Sequence, residues 1–135
     1  MRRPRRDDRS WIYDKEDSED KMPDTYDRVG TIADLDRLFR ESEQRVVVLF
    51  NHDPWCPISG RAFREISRME RDVAIVDVSR ARDVTAAIAK RTGVRHESPQ
   101  VIVLQGGREV WNASHFAISA DAVDQAASAS EFATG

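Results

Sequence analysis

The chain has 135 residues, a formal net charge of −3 and 40% hydrophobic residues, which suits one domain with a core that needs no cross-links. Its single cysteine excludes an internal disulfide and any metal site made from several cysteines of one chain. No apolar run reaches the roughly 18–20 residues of a membrane span and no charged-then-apolar leader opens the chain, so a cytoplasmic protein with neither membrane nor nucleic acid as partner is expected.

Residues 1–28 carry dense charge of both signs, from Arg2-Arg3-Pro4-Arg5-Arg6 to Asp14-Lys15-Glu16-Asp17. Trp11, Ile12, Tyr13, Met22 and Tyr26 are too few apolar residues to offset the entropy of ordering this stretch, so a disordered, solvated tail is expected. A basic arm for nucleic acid or acidic lipid is the competing reading; Asp7, Asp8 and the acidic block weigh against it. The folded domain is expected over 29–135.

From Val29 the patterning becomes regular. Thr31 with Asp34 three residues on reads as an N-cap, and Ile32, Leu35, Leu38 and Phe39 share one helical face. After Arg45, Val46 to Phe50 is a short, mostly β-branched run, as expected of a strand buried on both faces. A loop over Asn51 to Trp55 leads to Cys56 and Pro57. Proline suits the first turn of a helix, and Ile58, Ala62, Phe63, Ile66 and Met69 carry that helix to about Glu70. Ala74 to Val78 is the second strand, and Val84, Ala87 and Ile88 mark a helix closed by Gly93. Val101 to Leu104 follows Pro99 as the third strand; Gly106-Gly107 turns the chain into the hairpin partner Glu109-Val110-Trp111. Ser119 caps a last, alanine-rich helix to about Ser130. This order folds as an α/β domain with a four-stranded mixed sheet flanked by helices. The carboxyl end of its first strand is where such sheets place their chemistry, and Cys56 lies just past it.

At a helix start, free backbone N–H groups and the positive end of the dipole surround a cysteine sulfur. That environment favours the thiolate, the nucleophilic form. A buried structural cysteine is the bland alternative, but Asp53, Pro54 and Ser59 are not core-like neighbours. Cys56-Pro57-Ile58-Ser59 has the shape of a C-x-x-C redox motif with serine in place of the second cysteine. Serine can donate to a thiolate one turn away but forms no disulfide, so exchange is monothiol and an outside thiol must finish the cycle. His52 reads either as a solvated loop residue or as a group that steadies the thiolate. His96 lies in the loop before Pro99. Trp55 is expected to pack at the site's rim and Trp111 against the sheet. Three scattered histidines and one cysteine make no metal site.

Pro99, heading a strand after a helix, resembles the cis-proline that thioredoxin-like folds keep beside their active cysteine, so Ser98-Pro99 is expected to be cis with the Ser98 backbone open to a substrate strand. Phe50 stands where dithiol thioredoxins keep a buried aspartate, consistent with the missing second cysteine. With Gly93-Val94-Arg95-His96-Glu97-Ser98-Pro99-Gln100 and Trp111-Asn112-Ala113-Ser114-His115, the Cys56-Pro57-Ile58-Ser59 segment resembles the YtxJ-type bacillithiol-system proteins, the monothiol bacilliredoxins, over roughly 29–127. Trp55 before the cysteine departs from that family's pattern, and the charged tail is additional.

The resemblance implies a thioredoxin-like fold and removal of bacillithiol, a small thiol used as co-substrate with no bound cofactor, from bacillithiolated client proteins. Cys56 is then the nucleophile, Ser59 the substitute at the resolving position and Pro99 the cis-proline. Trp55, Pro57, Ser98, Ser114 and His115 line the place for the thiol. A glutathione-type monothiol redoxin is one alternative; a non-catalytic redox sensor or iron–sulfur-binding module is another.

Overall fold

The structure, a computed structural model, describes residues 26–134. The elements run β1 (Tyr26–Arg28), α1 (Ile32–Glu41), β2 (Val47–His52), α2 (Pro57–Ile66), β3 (Val73–Asp77), α3 (Arg82–Thr92), β4 (Gln100–Gln105), β5 (Arg108–Ser114) and α4 (Ala120–Thr134), with a 3-10 turn at His115–Ala117.

Local chemistry sets these boundaries. The Thr31 side chain accepts from the Asp34 N–H at 3.1 Å while Asp34 accepts from the Thr31 N–H at 3.2 Å, closing a capping box at the head of α1. Gly93 ends α3 at φ 77°, a left-handed conformation that glycine adopts without a Cβ clash. Ser119 Oγ accepts from the Ala122 N–H at 3.1 Å, holding the first turn of α4.

The sheet has five strands in the order β1-β3-β2-β4-β5, one more than the four expected. The additional strand is β1, which pairs parallel with β3 from Tyr26↔Val73 to Arg28↔Ile75. Tyr26 to Arg28, expected in the tail, are thus part of the sheet: Tyr26 is buried against Phe63, ring centroids 5.6 Å apart, and the strand's backbone completes the edge of β3. Of the tail expected over 1–28, residues 1–25 lie outside the described residues. β2 runs parallel to β3 and antiparallel to β4, and β4 is antiparallel to β5.

Because β2 is central and covered on both faces, all six of its residues are buried. Alternation sends Val46, Val48 and Phe50 to the face covered by α2 and α4, with Ala62, Phe63, Ile66 and Val123. Val47 and Leu49 go to the face of α1 and α3, with Leu35, Leu38, Val84 and Ile88. Each such fully buried side chain contributes about 1.5–3 kcal/mol of apolar transfer, so this strand anchors both halves of the core. Its last two residues, Asn51 and His52, were expected in a loop. They continue the strand because Asn51 pairs with Gln100 and His52 with Asp77 across the sheet. α2 ends at Ile66 rather than near Glu70, with Ser67 as its C-cap.

Candidate active site

Three segments converge at the carboxyl end of β2. The register Asn51↔Gln100 and Gln100↔Ser114 puts the end of β2, the start of β4 and the end of β5 side by side. The loop 53–56, the Ser98-Pro99 step and the Ser114-His115 step therefore share one edge of the sheet.

The cysteine loop is a tight turn. The Cys56 N–H donates to the Asp53 carbonyl at 3.1 Å, and the Asp53 carboxylate accepts from the Trp55 N–H at 3.0 Å. Pro54 presets the turn's first central position. Cys56 is the N-cap of α2, in an extended conformation, with Pro57 at the first helical position. Its carbonyl accepts from the Gly60 N–H at 3.0 Å. Its thiol is free and half-buried. At this position the N–H groups of Ile58 and Ser59, which have no acceptor within the helix, stand beside the sulfur's residue. The helix start thus offers an anion at this position the partial positive charge of those N–H groups and of the dipole.

Ser59 is fully buried, and its hydroxyl faces the strand end. Its Oγ accepts from the Asp53 N–H at 2.8 Å and lies 2.8 Å from His52 Nδ1. The sequence points to a bond from this serine to the thiolate; in the structure the hydroxyl's partners are His52 and Asp53 instead. His52 is 7% exposed and stacks on Phe63 at 4.9 Å and Phe50 at 5.2 Å between ring centroids. It is a core residue of the site, not a solvated loop histidine. The signal is present in the alternation Val46, Val48, Phe50, His52, which places position 52 on the α2 face once the strand is carried two residues further.

The opposite face of the strand end holds a second polar contact. Asn51 Nδ2 donates to Gln100 Oε1 at 3.2 Å, and Gln100 Nε2 donates to the Arg95 carbonyl at 2.9 Å. This chain ties the 95–99 loop to the sheet, and neither Asn51 nor Gln100 stands out in the sequence.

The Ser98-Pro99 peptide bond is cis, as expected. Pro99 is buried and Ser98 half-buried. The Pro99 carbonyl accepts from the His115 N–H at 3.0 Å, and His115 Nε2 lies 3.6 Å from Glu97 Oε1. His115 takes a positive φ of 55° as the chain leaves β5. Ser114 and His115 thus sit beside the proline step, both half-buried. Trp55 does not pack at the rim: it is 81% exposed, because the turn 53–56 projects it outward beside Cys56. Phe116 is also exposed, with the Arg61 guanidinium 5.4 Å from its ring centroid. Trp111 is half-buried and packs against the core, as expected of a sheet residue. His96 is exposed. Among the described residues no group of three or more His, Cys, Asp and Glu side chains is placed to hold a metal ion.

Comparison with known proteins agrees with this geometry. The family model described as monothiol bacilliredoxin BrxC matches residues 27–123. Among solved structures, a protein assigned as an oxidoreductase with a thioredoxin fold superposes with a TM-score of 0.71 at 29% identity, over 76% of this chain and 93% of that one. The thioredoxin of Fasciola hepatica superposes at 0.61 with 19% identity, over 76% of this chain and 97% of that chain. A mutant thioredoxin from Halobacterium salinarum gives 0.64 with 19% identity, over 82% and 94%. The last two speak for the fold alone.

Proposed function

Because the chain belongs to the monothiol bacilliredoxin family, we propose that it removes bacillithiol from protein mixed disulfides through Cys56. The observation that carries this reading is the one cysteine of the chain standing at the N-cap of α2 with serine three residues on. A nucleophile is held at a helix start, and no partner within the chain can capture it as a disulfide.

The Cys56 thiolate attacks the bacillithiol sulfur of a protein–S–S–bacillithiol disulfide. The protein–sulfur bond breaks, and the client's thiolate leaves and takes a proton from water. A Cys56–S–S–bacillithiol bond has formed. A second, free bacillithiol thiolate then attacks the bacillithiol sulfur of that bond, releasing the Cys56 thiolate and bacillithiol disulfide. The sum is client disulfide plus bacillithiol giving client thiol plus bacillithiol disulfide, with no net change of electrons. Collinear attack on a disulfide needs an open approach to sulfur, which the half-buried Cys56 beside the projecting Trp55 allows. Ser98, Ser114 and His115, which share the sheet edge, line the groove for the small thiol, with Pro57 on the cysteine side. The setting is a reducing compartment, the cytoplasm, where such mixed disulfides are transient.

The test is reduction of a bacillithiolated model protein in parallel with its glutathionylated counterpart. Cys56→Ala abolishes both reactions if Cys56 is the nucleophile, and the parent chain is faster on the bacillithiol adduct. A Cys56→Ala chain that still reduces the adduct overturns the mechanism, and a preference for the glutathione adduct overturns the choice of thiol.

A further inference from the structure

We propose that His52 is a positioning residue that acts through Ser59 to hold the cysteine loop over the start of α2. Ser59 Oγ joins two close partners at this spot: the Asp53 N–H at 2.8 Å and His52 Nδ1 at 2.8 Å. Asp53 in turn holds the cysteine, because its carbonyl accepts from the Cys56 N–H at 3.1 Å. The path from His52 to Cys56 is thus a chain of three hydrogen bonds, of 2.8, 2.8 and 3.1 Å. The His52 ring packs against both Phe50 and Phe63 in stacked orientation, in a cluster in which those two rings also stack on each other, and this packing holds its Nδ1 at the serine. Ser59, buried in the first turn of the helix, then fixes where the loop meets that turn.

This assigns the serine of the C-x-x-S motif a different task from the cysteine it replaces. It does not resolve a disulfide; it fastens the turn that carries the nucleophile. A hydroxyl accepts two hydrogen bonds and donates one, so it can bridge a backbone N–H and an imidazole nitrogen at once. A thiol, a weak donor and weak acceptor with a longer reach, does this poorly.

The inference rests on Cys56 as the nucleophile of the proposed function, and its test uses no bacillithiol. Cys56 is the single cysteine of the chain, so alkylation of the full chain by iodoacetamide at neutral pH reads that sulfur alone. His52→Phe keeps the ring stack and removes Nδ1; Ser59→Ala removes the bridge. Each is expected to slow alkylation about five- to tenfold, the effect of losing one buried hydrogen bond. The double variant slows it no further than the stronger single, since both act through one path. His52→Asn, whose amide sits close to the Nδ1 position, restores most of the rate. Hydrogen exchange at the Asp53 amide gives the direct signature: faster in His52→Phe and Ser59→Ala, slow again in His52→Asn. If His52→Phe does not fold, Ser59→Ala and His52→Asn carry the test with the same two readouts. Parent-like exchange and alkylation in His52→Phe, single effects that multiply in the double variant, or failure of His52→Asn to restore either readout overturn the clamp. Normal alkylation with no bacillithiol turnover leaves the clamp standing and overturns the proposed function.

Discussion

Asn51→Leu cuts the hydrogen bond that Gln100 Oε1 receives at 3.2 Å, at a point where both side chains are 1% exposed. The stranded acceptor costs about 1–3 kcal/mol. Leucine branches at Cγ as asparagine does and is larger, so no cavity adds to this. Asn51 Oδ1 has no partner among the described residues, and removing it offsets part of the loss, which leaves about 1–2 kcal/mol. For a domain near 100 residues each kcal/mol corresponds to roughly 4–8 °C in Tm, so a fall of about 4–16 °C is expected. Gln100→Leu strands the Asn51 amide and frees the Arg95 carbonyl that Gln100 Nε2 holds at 2.9 Å, with a comparable loss. The double Leu variant replaces both partners by apolar groups, so its loss falls short of the sum by about 1–2 kcal/mol. Reactivity behaves differently. The 95–99 loop is untied in both chains that lack Gln100, so their exchange with a mixed disulfide stays slow even where Tm recovers. Thermal unfolding followed by circular dichroism on the four chains, with the exchange rate measured on each, makes the comparison. Losses that simply add, or an Asn51→Leu chain that melts with the parent, refute the tether.

Tyr26→Phe is expected to raise stability by about 1 kcal/mol, read as a higher Tm, because the Tyr26 hydroxyl is buried with no partner among the described residues. Burial also pushes that phenol well above its ordinary value, so a tyrosinate absorbance that appears at the usual alkaline midpoint for this residue would contradict the burial. Thr31→Ala opens the capping box of α1 and should lower stability by about 1 kcal/mol in denaturant titration; a change in slope with no shift in midpoint would point elsewhere. Glu131 lies 2.8 Å from the Arg71 guanidinium, whose hydrogen bond holds its carboxyl below the ordinary range. A lowered carboxyl stabilises the fold above its unfolded value of 4.5 and loses that contribution as pH falls through the lowered folded value. Glu131→Gln should therefore lose stability at neutral pH and converge with the parent in acid, by a small amount because the pair is exposed; a difference that persists undiminished in acid would show the charge is not its source.

The elements are legible in the sequence wherever a local rule decides them. Thr31 with Asp34 announces its capping box, Gly93 its left-handed cap, and the Val46–Phe50 run its place at the centre of the sheet. Cys56 before Pro57 can be placed at a helix start because an N1 proline has few other homes. β1 is not legible: three residues at the end of a charged stretch carry no periodicity, and only the open edge of β3 makes them a strand. His52 and Asn51 read as loop because polar residues after an apolar run look like its end.

The sequence by itself determined that the chain has one thiol, at a helix start, with no second thiol to close on. These follow from residue identity and spacing along the chain, which need no partner to be read. Tertiary structure alone decided what surrounds that thiol. The cross-strand pairing of Asn51, Gln100 and Ser114 brings three distant segments to one edge, and Ser59 turns to His52 and Asp53 rather than to Cys56. A hydroxyl bonds whatever lies within about 3 Å of it, and which atoms those are is fixed only once strand and helix have packed.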